Sequence, residues 1–242
     1  MLDASAVPTQ SSDTKPSLER SGIRRIVQVL VSVLLIGVLL FLSAGRLDWL
    51  WAWLFLAGWL LLMLMSAFVM RKSPGLINER GRRAENIKGW DKVLMGIYSL
   101  VLFTVPVVAG LDGVRFEWSA MPLAWHVVGG VLFIPAMIMP LWAMSANAYL
   151  STMVRIQDDR GHQVVTTGPY RYVRHPMYVG TIFFGLSIPL FLGSWWTFVP
   201  CGLIVVLFII RAALEDRTLR EELPGYAEYA QRVRYRLLPG IW

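Results

Sequence analysis

Cysteine is almost missing from this chain. Cys201 is the only one among 242 residues, so no internal disulfide can brace the fold. Charge is scarce as well, at 16% Asp, Glu, Lys and Arg against 56% hydrophobic residues, which excludes an ordinary soluble domain and fits a polytopic membrane protein. No internal repeat divides the sequence, and its apolar runs are nearly free of ionisable groups. Both absences count against a transporter, which commonly carries repeated halves and charges deep within its spans. The chain has a net charge of +7, but its basic residues sit in short segments between apolar runs rather than in one patch. That distribution speaks of membrane topology and not of nucleic acid.

What is present is a succession of apolar runs. Residues 1–21 are polar, as expected of a disordered cytoplasmic tail. Spanning helices are expected over 26–44, 49–70, 93–111, 123–144, 177–193 and 195–214, near the roughly 20 residues that a bilayer requires. The first run is long, lacks a small-x-small cleavage site and is followed at once by a second, so it is expected to stay as a span. Residues 45–48 force an antiparallel hairpin, with Trp49, Trp51 and Trp53 expected as an aromatic belt. The run 177–193 is short and carries Pro189; Gly193 and Ser194 join it to the last run in a tight hairpin.

Placing both termini on the same side as the second–third and fourth–fifth connections puts all but Arg46 and Arg115 of the 23 Lys and Arg residues on one face. This predicts an all-α protein of about six spans, with both termini cytoplasmic, in the cell's inner membrane. Three regions follow: the tail 1–21, a four-span region 22–144, and a core 145–242 with a helical hairpin and a C-terminal amphipathic helix. That helix, carrying Tyr226, Tyr229, Arg232 and Tyr235, is expected to lie on the bilayer and to close the pocket from below. The basic segment 71–92 reads first as a positive-inside loop and second as a surface that draws anionic lipid. His126 and Cys201 read as a satisfied interfacial histidine and a small buried residue.

The densest polar and aromatic stretch is 168–180, Gly-Pro-Tyr-Arg-Tyr-Val-Arg-His-Pro-Met-Tyr-Val-Gly. Gly168-Pro169 stops regular structure and Pro176 pushes His175 out of helical backbone space, so an irregular loop is expected where the next apolar helix begins. The pattern G-P-Y-x-x-x-R-H-P-x-Y-x-G resembles the signature of the isoprenylcysteine carboxyl methyltransferase family, relatives of the phospholipid N-methyltransferases. A second block resembles the same family: Glu215-Asp216, Leu219, Leu223-Pro224-Gly225-Tyr226-Ala227-Glu228-Tyr229, Val233 and Leu238-Pro239. The likeness covers about 164–242, and the first third of the chain shows no substrate motif.

The resemblance implies S-adenosyl-L-methionine as methyl donor, taken from the cytoplasm, and an acceptor delivered by the bilayer: an isoprenylcysteine carboxylate, a lipid amine or a small thiol. It implies a cofactor site built from Val165, Gly168, Tyr170, Arg174, His175, Tyr178, Gly180, Glu215 and Asp216, with Arg174 and Glu215 nearest the chemistry. These residue types suit the group. Arg174 can fork a carboxylate, Tyr170, Tyr172 and Tyr178 offer π faces to adenine or a cation, and the acidic pair can accept from ribose or ammonium. Gly168 and Gly180 allow close backbone approach, and Glu215 or His175 can take a proton from an amine or thiol acceptor. The chain departs from the family at Asp216, where a second glutamate is usual. An NADPH-dependent sterol-type reductase is the alternative, sharing an Arg-His-Pro-x-Tyr core, but Met177 and Thr181 stand where Asn and an acidic residue would fit it better.

Overall fold

A computed structural model describes residues 19–70, 74–82 and 86–242. The expected tail therefore falls outside the described residues except at its last three positions, of which Arg20 already opens α1. The described residues form helices and no strands: α1 (Arg20–Ala44), α2 (Leu50–Met70), α3 (Pro74–Gly81), α4 (Gly89–Gly110), α5 (Leu123–Ala146), α6 (Pro176–Leu192), α7 (Phe198–Glu222) and α8 (Tyr226–Arg232). Five are long and apolar enough to cross a membrane, counting α4 with the π-helical turn Leu111–Arg115 that extends it. The sixth apolar helix, α6, has 17 residues, so the short expected span is short in fact. The chain is a multi-pass membrane protein. Leu34, Leu61, Leu64, Leu100 and Val199 all face outward, a surface that suits hydrocarbon and would not suit water.

Helix order around the bundle runs α1, α4, α7, α6, α5, with α2 touching α1, α5 and α6. Gly45, at φ 73°, ends α1 with its N–H on Phe41 O at 2.9 Å and turns the chain into α2. Only part of the expected tryptophan belt faces out. Trp53 is exposed and donates to Leu47 O, whereas Trp49 is buried and Trp51 stacks on His126 at 4.3 Å.

α5 and α6 pack backbone to backbone. A Cβ at Gly129 would lie 2.4 Å from Phe191 N, and one at Gly180 would lie 2.7 Å from Pro140 Cδ. Small residues let membrane helices approach this closely, and dispersion then holds them.

One end of the bundle is stapled by Asp112. The sequence places it in a polar loop, but it sits fully buried in the π-helical turn. Its Oδ2 accepts from Ser119 Oγ at 2.6 Å, from Ser194 Oγ and from Trp196 N at 3.2 Å, fixing the α6–α7 turn against α4. His126 is satisfied nearby, with Nδ1 2.9 Å from Phe191 O. The candidate site lies at the other end of α6.

Candidate active site

Residues 168–180 fold as the local chemistry requires. Gly168 has φ 59°, a short 3-10 turn spans Gly168–Arg171, and Pro176 is the first residue of α6, with His175 outside helical geometry just before it. The chain's last segment ties this loop down, because Arg174 N donates to Tyr235 O at 3.0 Å and His175 N to Arg236 O at 2.9 Å. Arg236 N in turn donates to Trp242 O at 2.9 Å, and its guanidinium lies over the Trp242 ring.

α7 brings the acidic pair to the same place. It runs past its apolar part, so Glu215 and Asp216 are still helical and face the loop. Asp216 is 1% exposed and collects charges from three segments: Arg174 Nε at 2.7 Å, Arg220 Nε at 3.1 Å and Arg236 Nε at 3.1 Å, with Tyr226 Oη donating at 3.0 Å. Arg174 Nη2 also donates to Asp216 Oδ2 at 3.2 Å, and Nη1 goes to Val233 O at 2.8 Å, Arg234 O at 3.0 Å and Ala230 O at 3.3 Å. Arg174 and Asp216 thus brace the C-terminal segment against the loop. Burial and the carboxylate beside it push the Tyr226 phenol well up, so Tyr226 stays a hydrogen-bond donor. Arg217 pairs with Glu221, and neither it nor Arg211 pairs with Glu215 or Asp216.

Glu215 differs from its neighbour. It accepts from the Tyr178 hydroxyl, lies 4.0 Å from His175 Nδ1 and keeps 23% of its side chain exposed. The His175 ring stacks parallel on Tyr178 at 5.5 Å, and its buried Nε2 is 3.8 Å from Asp216, too far to bond, and so has no hydrogen-bond partner.

These groups open onto a cavity of about 500 Å³ between α1, α4, α6, α7 and the segment 147–165, within the range of small-molecule sites. Of the residues singled out from sequence, Val165, Tyr170, Arg174, His175, Tyr178 and Glu215 line it. Gly168, Gly180 and Asp216 do not. A Cβ at Gly168 would meet Ala146 at 2.8 Å, so both glycines serve contact with α5. Tyr172 is exposed against Trp142.

Several lining groups had no signal beyond lying in a polar stretch. Asn147 Nδ2 donates to Tyr170 Oη at 3.1 Å, His162 packs against Tyr149 with tilted rings 4.8 Å apart, and Gln157 is almost fully buried. Burial lowers the His162 pKa, against an opposing pull from Glu215, and raises that of Tyr170. Arg155 docks this segment on α3 through Glu79 at 2.7 Å. α8 turns its aromatic face inward. Tyr226 and Tyr229 are buried, and Tyr229 donates to Tyr170 O at 2.8 Å, sealing the cavity floor. Tyr235 lies beyond the helix.

With this geometry in view, the likeness to known proteins has a location. Residues 124–224, from α5 through α7, match the family described as phospholipid methyltransferase. The chain is similar to the protein-S-isoprenylcysteine O-methyltransferase B of Arabidopsis thaliana, at 26% identity over 137 residues, 55% of this chain and 66% of that one. It is also similar to the uncharacterized protein YpbQ of Bacillus subtilis, at 29% over 105 residues, 43% of this chain and 61% of that one. The chain thus spans less than two thirds of either relative. These matches support the family resemblance carried by the Arg-His-Pro loop and the acidic pair.

Proposed function

We propose that this protein is an integral membrane methyltransferase that uses S-adenosylmethionine and takes its acceptor from the bilayer. The observation that carries the reading is the convergence of Glu215, His175, Tyr178 and Tyr170 on one cavity whose other walls include the membrane helices α1 and α4. The residues fit the cofactor. Glu215 has a part-exposed carboxylate free to accept from an ammonium or a ribose hydroxyl, and His175, a cavity-lining residue, has a buried Nε2 without a hydrogen-bond partner. Tyr149, Tyr170 and His162 supply flat faces for a purine.

When bound, the cofactor supplies a methyl carbon already activated by its sulfonium. The chain's own task is then positioning and exclusion of water. Tyr178 holds the Glu215 carboxylate through its hydroxyl, and the parallel His175 ring fixes the Tyr178 ring. Arg174 and Asp216 act behind them as positioning residues, since their polar groups are engaged with the C-terminal segment. For an amine or thiol acceptor, Glu215 or His175 takes the proton; for a carboxylate, no base is needed. In this reading the site end of the bundle faces the cytoplasm, where the cofactor is available.

The test is calorimetric titration of detergent-purified protein with S-adenosylhomocysteine. Saturable micromolar binding, lost in Glu215→Ala with the fold retained, is expected. Binding of NADPH in its place would overturn the reading in favour of a reductase.

A further inference from the structure

Two arginines in the cavity wall have no counter-charge among the described residues. Every other arginine there is paired or bonded: Arg155 to Glu79 and Asp159, Arg174 to Asp216, and Arg211 to Asp91. Arg25 on α1 and Arg80 on α3 line the same cavity, and no carboxylate lies within ion-pairing distance of either among the described residues. Arg80 Nη1 is buried and makes no hydrogen bond.

Backbone packing holds the two together. α3 lies so close to α1 that a Cβ on Gly81 would fall 1.8 Å from Ser21 O and 3.2 Å from Arg25 Cβ, and the Arg24 guanidinium donates to Gly81 O. Burial, with the Arg25 charge adding to it, pushes the Arg80 pKa down to about 10. A guanidinium at that value is still charged at neutral pH. Like charges held together in a partly buried wall oppose folding unless an anion neutralises them.

We propose that Arg25 and Arg80 form an oxyanion subsite that takes the carboxylate or phosphate of an amphiphilic acceptor, whose apolar chain lies against Leu102 and Phe103 of α4. This rests on the methyl-transfer reading for the word acceptor, but not for the anion. Two observations favour the acceptor over the cofactor as the source of the charge. Both arginines lie outside residues 124–224, the part shared with the phospholipid methyltransferase family. The cavity wall they belong to continues as Ser32, Met95, Ser99, Leu102 and Phe103 on α1 and α4, where Ser32, Ser99 and Phe103 reach the outer, apolar surface of the bundle. A guanidinium pair binds carboxylate and phosphate alike through charge-assisted hydrogen bonds.

The experiment measures thermal unfolding of the full chain in neutral detergent with oleate, lysophosphatidate, uncharged monoolein, or acetate and inorganic phosphate, alongside calorimetry with S-adenosylhomocysteine. Expected are a rise in Tm with the charged amphiphiles alone and a loss of at least tenfold in oleate affinity in Arg25→Gln and Arg80→Gln. Arg80→Lys should retain most of the response. Arg80→Gln should also unfold no earlier than wild type without ligand, because it removes an uncompensated charge; a merely structural arginine would show the opposite. Equal stabilisation by monoolein, a full shift from acetate or phosphate, or an undiminished oleate response in Arg80→Gln overturns the proposal. Loss of S-adenosylhomocysteine binding in Arg80→Gln also overturns it by giving the pair to the cofactor carboxylate. Absence of S-adenosylhomocysteine binding in wild type defeats the methyltransferase reading instead, and the oleate arm still decides the subsite.

Discussion

Asp91 and Arg211, 120 residues apart in the chain, are joined in the buried interior by hydrogen bonds of 2.7 and 3.1 Å. Asp91 opens α4, Arg211 lies on α7, and both hold the loop between α5 and α6: Val154 N donates to Asp91 at 2.7 Å, and Arg211 donates to Thr152 O at 2.9 Å. The same guanidinium lies 5.4 Å over the Tyr178 ring, whose hydroxyl holds Glu215. A single ion pair therefore connects α4, the cavity loop and the acidic residue of the site.

Asp91→Ala leaves that guanidinium buried without its partner. The expected loss of stability is about 3–5 kcal/mol, with the 152–154 loop released. Denaturant unfolding measures it. Combining Asp91→Ala with Arg211→Met should recover much of the loss without restoring ligand binding, because the brace on the loop stays absent.

Tyr178→Phe removes one hydroxyl and keeps the ring that stacks on His175. A hydrogen bond to a charged group contributes about 1.5–3 kcal/mol, so the affinity for S-adenosylhomocysteine should fall about tenfold or more. Unchanged affinity would show that Glu215 is held by other means.

The pH response should carry the mark of His162. Its Nδ1 faces Gln157 N at 3.4 Å, a contact that suits the neutral ring, and burial lowers its pKa below the ordinary 6.5. The unfolded chain then binds the proton more readily than the folded one. Stability is full above about pH 6.5 and is lost as pH falls from there through the folded value. Thermal unfolding between pH 8 and 5 should show this decline in wild type and a shallower one in His162→Gln.

Two glycines should answer in opposite directions. Gly129→Ala drives a methyl into the α6 backbone and should cost about 1–3 kcal/mol. Gly202, on α7, has open space around its missing Cβ, and Gly202→Ala should gain about 0.4–1 kcal/mol. Paired melts of the two variants test the packing of α5 on α6 directly.

Much of this arrangement was legible because membrane helices announce themselves by length and hydropathy, and because Pro176 and Gly168 punctuate the loop wherever it lies in space. The meeting of Arg174, His175, Tyr178 and Glu215 could be expected from the two motif blocks. The partition of roles could not. Glu215 and Asp216 are neighbours in sequence, but on a helix they point about 100° apart, so one opens to the cavity while the other is enclosed by arginines. Gly168 and Gly180 read equally well as room for a ligand or room for a helix, and only the position of α5 decides. Asp91 and Asp112 were hidden for another reason. Each sits at the edge of a charged or polar segment where composition says solvent, while the partners that bury them, Arg211 and the turn at Ser194, are far off in the chain.

The shortness of α6 sets how deep the proposed site lies. Tyr178 is in its first turn and reaches Glu215, yet α7 continues to Glu222, about two turns or roughly 10 Å further. Glu215 is therefore recessed beneath the rim of the bundle. Drawing a lipid chain out into water costs about 0.8 kcal/mol per methylene, so a five-carbon lift alone would lower occupancy by roughly a thousandfold. For a lipid acceptor of the kind proposed, a sunken site avoids that extraction work and leaves discrimination among acceptors to whatever recognises the head group.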